Sequence, residues 1–214
     1  MKNNITELVF ILDRSGSMSG FESDTIGGFN SILEKQKREE GKCYVSTVLF
    51  DSNYELLHDR VDISEMKPMT EEDYRVGGCT ALIDAMGRTI RHIAKIHRYA
   101  RPEDVPEKTL FVITTDGYEN ASRSYSADEI RRMVEHEKEK YGWEFLFLGA
   151  DIDAIETAGR LGIDQSRAAN YRKDSVGNAC MYDSVNEAIS MARACAPFDA
   201  SWKAKVDKDY KKRK

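Results

Sequence analysis

Leu8-Val9-Phe10-Ile11-Leu12-Asp13-Arg14-Ser15-Gly16-Ser17 is an apolar run that stops abruptly at an acid and two hydroxyls. A second run, Leu110-Phe111-Val112-Ile113, ends the same way at Asp116-Gly117. Near-continuous apolar stretches of this length are the pattern of strands buried on both faces of a sheet. Outward from these two, residues 5–12, 43–50, 109–115 and 143–148 all read as such strands. Residues 54–61 alternate more and follow the turn Asp51-Ser52-Asn53, so an antiparallel edge strand closing a hairpin is expected there. A weak sixth strand is expected at 167–172.

Helical patterns separate the strands. Residues 22–39 place Ile26, Phe29, Ile32 and Leu33 on one face, and residues 81–98 do the same with Leu82, Met86, Ile90 and Ile93. Ser126-Ala127-Asp128-Glu129 has the spacing of a capping box and predicts a helix near 127–140. A shorter helix near 152–161 stops at Gly162, and the last, about 176–194, carries Val185, Ala188, Ile189 and Ala192 inward. Strand–helix alternation implies an α/β protein with a mostly parallel sheet and helices on both faces. In such sheets ligands bind outside the carboxyl ends of the strands, where Asp13, Thr80 and Asp116 all fall.

Composition narrows the function classes. The chain has 214 residues, enough to bury an ample core, and 32 % charged residues against 41 % hydrophobic ones, an ordinary globular balance. A net charge of −5 argues against a body that coats nucleic acid, although residues 203–214 hold seven Lys or Arg against two Asp. Residues 1–196 are expected to form one domain, with 197–214 a basic C-terminal extension. The cysteines Cys43, Cys79, Cys180 and Cys195 show no C-x-x-C pair or zinc spacing, so free thiols are expected, with Cys79 a small buried residue. No apolar stretch approaches the ~20 residues that span a bilayer, and the start Met1-Lys2-Asn3-Asn4 leads to no small-residue cleavage site. A cytoplasmic protein from a bacterium or phage, without a membrane role, is the expectation.

Asp13, Ser15, Ser17, Thr80 and Asp116 all carry hard oxygen donors, the chemistry that a small divalent cation needs. Asp-x-Ser-x-Ser after a strand, Gly77-Gly78-Cys79-Thr80 ahead of a helix and Thr115-Asp116-Gly117 after a later strand together resemble the von Willebrand factor A domain and its metal-ion-dependent adhesion site. The resemblance covers roughly residues 5–195. It implies a Rossmann-like, doubly wound α/β fold of about six strands with one antiparallel edge strand. It also implies roles: Ser15 and Ser17 as direct hydroxyl ligands, Thr80 as a ligand directly or through water, Asp13 and Asp116 acting mainly through bound waters. Mg²⁺ or Mn²⁺ is expected ahead of Ca²⁺, with one coordination position left for a carboxylate from a partner protein. Neutral hydroxyls leave such a cation under-neutralised and attractive to an incoming Asp or Glu. Gly16 is read as allowing the tight turn, and Gly77 and Gly78 as letting the loop before Thr80 move.

Gly78, Tyr118, Glu119 and Asn120 are expected to line the rim of this site. Asp151 and Asp153 lie at another strand end, where acids commonly favour a helix N-terminus. His92 and His97, five apart on one helix, read as surface residues. The expected function is a non-enzymatic, metal-dependent protein-binding module whose partner offers an Asp or Glu. Relatives of this kind suggest an ATPase or a stress-response component as the partner. One alternative is a metal-dependent phosphohydrolase using Asp13 as nucleophile, which would need a second acid where Ser15 stands. The other is a nucleic-acid-associated adaptor working through the basic tail. No Gly-x-x-x-x-Gly-Lys-Ser/Thr loop favours nucleotide hydrolysis.

Overall fold

The computed structural model describes residues 4–194, 196 and 198–213. In chain order these form β1 (Ile5–Asp13), α1 (Glu22–Gln36), β2 (Lys42–Phe50), β3 (Tyr54–Asp62), α2 (Leu82–Tyr99), β4 (Lys108–Thr115), α3 (Ala127–Tyr141), β5 (Glu144–Gly149), α4 (Ala154–Arg160), β6 (Ala168–Asn170), α5 (Ser175–Arg193) and α6 (Ala204–Lys212). The six strands make one sheet in the order β3-β2-β1-β4-β5-β6. Every pairing is parallel except β2 with β3, the hairpin at one edge. This is a Rossmann-like, doubly wound α/β fold.

The apolar run of β1 explains the two-layered core. Leu8, Phe10 and Leu12 point to one side of the sheet and pack with Phe29 and Ile32 of α1 and with Val185 and Ile189 of α5. Val9 and Ile11 point to the other side, against Met86 and Ile90 of α2 and Val134 of α3. Successive strand side chains alternate faces, so a strand covered on both must be apolar at every position. β3, at the edge, is only partly buried along its length.

Chain direction reverses its outward path at β1. From there the strands run one way to β2 and β3 and the other way to β4, β5 and β6. The carboxyl ends of β1 and β4 therefore diverge at a topological switch point, and the connections that leave them open a crevice.

The C-terminal segment departs from the expected extension. Trp202 and Val206 are fully buried in the α1/α5 layer, and the Trp202 indole donates to the Ser166 carbonyl at 2.9 Å. Lys residues dominate α6, but one apolar face suffices to dock it. His97 is a second departure: its Nε2 lies 2.6 Å from Glu7 of β1, whose carboxylate is fully buried and also pairs with Arg60 at 3.0 Å. Cys79 is exposed rather than buried. Among the described residues no helix is long and apolar enough to cross a membrane.

Candidate metal centre

Three loops meet at the switch point, and backbone bonds lock them together. Gly16 N donates to the Gly78 carbonyl at 3.0 Å, Gly77 N to Arg14 at 2.9 Å, and Ala81 N to Asp51 at 3.0 Å. Cys79 N donates to Ser52 Oγ at 2.9 Å. Gly78 has φ +72°, and a Cβ there would stand 3.0 Å from Ser52 Oγ. Gly78 thus serves a close backbone approach in the left-handed region, whereas a Cβ on Gly77 would meet nothing within 4 Å.

Within this frame the five oxygen-bearing residues converge. Asp13 and Ser15 are 1 % exposed, while Thr80 and Asp116 are 3 % exposed. Ser15 N donates to Asp13 Oδ1 at 2.7 Å, and the Thr115 hydroxyl donates to Asp13 Oδ2 at 2.6 Å. Both oxygens of Asp13 are therefore held in place. Tyr74, fully enclosed, donates its hydroxyl to the Asp13 carbonyl and fixes the strand end from below. Ser15 Oγ and Ser17 Oγ are 3.0 Å apart, and the Ser17 hydroxyl donates to Asp116 Oδ1. Thr80 Oγ1 faces the same point: a Cβ on Gly117 would lie 3.5 Å from both Ser17 Oγ and Thr80 Oγ1.

Burial pushes the Asp13 carboxyl above its ordinary value, opposed by the bonds from Ser15 and Thr115, with the charge of Asp116 adding to the rise. Two carboxylates held close in a buried place need positive charge nearby. Lys173, in the loop between β6 and α5, supplies some: its Nζ is 2.7 Å from Asp116 Oδ2 and 2.7 Å from the Ser17 carbonyl. Two carboxylates and three hydroxyls make a hard-oxygen donor set suited to a small divalent cation. Among the described residues, groups of three or more His, Cys, Asp or Glu side chains suited to a metal are absent, so this hydroxyl-rich set is a different kind of site.

The rim divides into two sorts of residue. Tyr118 is 67 % exposed. Glu119 is instead structural, accepting from Ile83 N at the start of α2 (2.9 Å), Ala121 N (2.9 Å) and Ser122 N (2.7 Å). Asn120 clamps Thr80, its Oδ1 accepting from Thr80 N at 2.9 Å and its own N donating to Thr80 O at 3.1 Å. An apolar cavity of about 310 Å³ opens beside Gly117 and Tyr118, walled by Leu82, Ile83, Ile152 and Leu161. Asp153 caps α4 by accepting from Glu156 N at 2.9 Å, as its position at a helix start implied. Lys173, Thr115 and Tyr74 escaped the sequence reading. Thr115 adjoins Asp116 and could have been found, but nothing local marks Lys173 or Tyr74.

No family model matches the chain, and neither does any curated protein. Solved structures do. A von Willebrand factor type A protein from Catenulispora acidiphila superposes with TM-score 0.60 at 11 % identity over 86 % of this chain. Proximal thread matrix protein 1 from the mussel byssus, with a zinc-occupied MIDAS motif, gives 0.58 at 13 % identity over 85 %. The vWF domain of the type V pili tip protein Mfa5 from Porphyromonas gingivalis gives 0.61 at 11 % identity over 87 % of this chain and 95 % of its own. The chain spans 42 % of the first structure and 45 % of the second. At these identities the likeness is one of fold.

Proposed function

From a von Willebrand factor A fold that gathers two carboxylates and three hydroxyls at its switch point, we infer that the protein is a metal-dependent protein-binding module. The observation that carries this is the convergence of Asp13, Ser15, Ser17, Thr80 and Asp116, drawn from three loops, around one position. A divalent cation held there, Mg²⁺ or Mn²⁺, supplies a Lewis-acidic centre that attracts a carboxylate. Ser15, Ser17 and Thr80 bring oxygen without charge, so the site keeps an affinity for an Asp or Glu of a partner. Asp13 and Asp116 supply the negative charge. The mussel protein with a zinc-occupied motif supports a metal reading by analogy of fold.

A non-catalytic role is favoured by the state of Asp13. Both its oxygens are engaged, by Ser15 N and by Thr115, so it frames the site and does not point outward as a nucleophile. The apolar cavity beside Gly117 offers a bulky side chain of the partner a place next to the carboxylate.

Calorimetric titration with Mg²⁺ and Mn²⁺ tests the reading. Saturable binding in the wild-type chain, lost in Ser15→Ala and Ser17→Ala with both variants folded, is the expected outcome. Unchanged binding in the two variants would place any metal elsewhere and remove the basis for a partner carboxylate.

A further inference from the structure

The ammonium of Lys173 sits on the same carboxylate that the proposed cation would use. Its Nζ is 2.7 Å from Asp116 Oδ2, and the Asp116 side chain is fully buried while that of Lys173 is 20 % exposed. It also donates to the Ser17 carbonyl at 2.7 Å and lies 5.4 Å from the centre of the Phe21 ring. An ion pair to a buried carboxylate is held far more strongly than one at the surface, because removing either partner strands a buried charge. A divalent ion among Asp13, Asp116, Ser15 and Ser17 would face this ammonium across the Asp116 carboxylate, and like charges repel most where burial lowers the dielectric.

The backbone that carries Lys173 is fixed on both sides. Tyr171 N donates to Gly149 O at 3.0 Å, and Asp174 caps α5 by accepting from Gly177 N at 2.8 Å. Arg213 of the tail pairs with Asp174 at 2.7 Å. A Cβ on Gly177 would stand 2.1 Å from the Arg172 carbonyl, so the helix start and this loop are in close contact. Any displacement of the ammonium therefore falls to the four-carbon stem of Lys173. A second carboxylate waits outside: Asp151 Oδ2 is 4.0 Å from Nζ, with its side chain 66 % exposed.

We propose that Lys173 is a built-in competitor for the metal site, holding the charge of Asp116 and withdrawing toward Asp151 when a divalent cation binds. This rests on the metal-site reading above and adds its regulation: cation affinity is set by an internal ammonium as well as by the ligands. Lysine suits the part, being a compact point charge on a flexible stem.

The test uses the full chain. Mg²⁺ and Mn²⁺ titrations are run on wild type, Lys173→Met, Lys173→Arg and Ser17→Ala, alongside acetic anhydride labelling of wild type read by mass spectrometry. Lys173→Met is expected to bind about tenfold more tightly, the gain from removing one charged bond. Lys173→Arg keeps the charge, so its affinity should lie closer to that of wild type than to that of Lys173→Met. Acetylation of Lys173 should rise on saturation with Mg²⁺, as its amine leaves Asp116. Should Lys173→Met not fold, Lys173→Gln takes its place. Equal affinities for the methionine variant and wild type would overturn the competition while Ser17→Ala still reports the site. Weaker binding by Lys173→Met, or Lys173 labelling unchanged by the ion, would overturn it too. Absence of binding in all four proteins would overturn both this inference and the metal site.

Discussion

Cys43 and Cys79 show how position sets the chemistry of one residue type. Burial in β2 pushes the Cys43 thiol up to about 12, while Cys79 stands exposed on the loop before Thr80. Since the thiolate is the nucleophile, brief iodoacetamide treatment of the native protein at about pH 8 should alkylate Cys79 and spare Cys43. Peptide mass spectrometry reads the difference. His58 on β3 carries a pH dependence. Burial holds its imidazole below the ordinary value, so the unfolded chain binds its proton more tightly than the folded one. Its neutral form is stabilising above about pH 6.5, and that contribution is lost as pH falls below this and through the lowered folded value. Urea midpoints measured from pH 7.5 to 5 should therefore fall less steeply in His58→Leu. Asp62 and Asp73, lowered by Ser64 and Thr70, titrate below this window.

Elements here are terminated by local chemistry and placed by close contacts. α3 begins with a complete capping box, Ser126 and Glu129 each bonding the other's backbone, and ends at Gly142 in the left-handed region with φ +66°. Ser126→Ala should cost about 1 kcal/mol in equilibrium unfolding. The contact of α1 with α5 depends on a missing side chain: a Cβ at Gly28 would stand 2.0 Å from the Tyr182 ring. Gly28→Ala must push α5 outward, for an expected loss of about 1–3 kcal/mol despite alanine's better helix propensity. Stabilisation by that substitution would show that the two helices separate without strain. The strands and main helices were readable because each repeats a period of 2 or 3.6 over many residues. β6, expected only weakly at 167–172, is three residues long, too short for a full period, and owes its place to pairing with β5.

At the scale of the molecule, the C-terminal segment closes one layer of the core. Trp202 is fully buried and α6 rests against α5, with Arg172 over the Tyr210 ring at 5.1 Å and Arg213 on Asp174. Trp202→Ala should lower unfolding free energy by about 3–5 kcal/mol, read from denaturant curves. A change under about 1 kcal/mol would return this segment to the status of an appendage. Of the basic residues flanking α6, Lys203 donates to the Gln165 and Ala168 carbonyls and Arg213 pairs with Asp174. The pair of His97 with Glu7 joins α2 to the centre of the sheet. It was hidden in the sequence because its members lie 90 residues apart and one of them interrupts an apolar run.

The sequence by itself determined the α/β architecture, because two-sided burial demands unbroken apolar strands and one-sided burial demands helical stripes. It also determined which oxygen-bearing residues stand at the strand ends, since Asp13 and Asp116 directly follow runs that must be strands. Only the tertiary structure decided that three distant loops interlock, Gly16 bonding Gly78 and Asn120 bonding Thr80, which turns five separate side chains into one site. It alone brought Lys173 onto Asp116, Tyr74 onto Asp13 and Trp202 into the core. These contacts follow no sequence period. They depend on where α-helices and loops cross the sheet edge, and close packing of the whole chain fixes that.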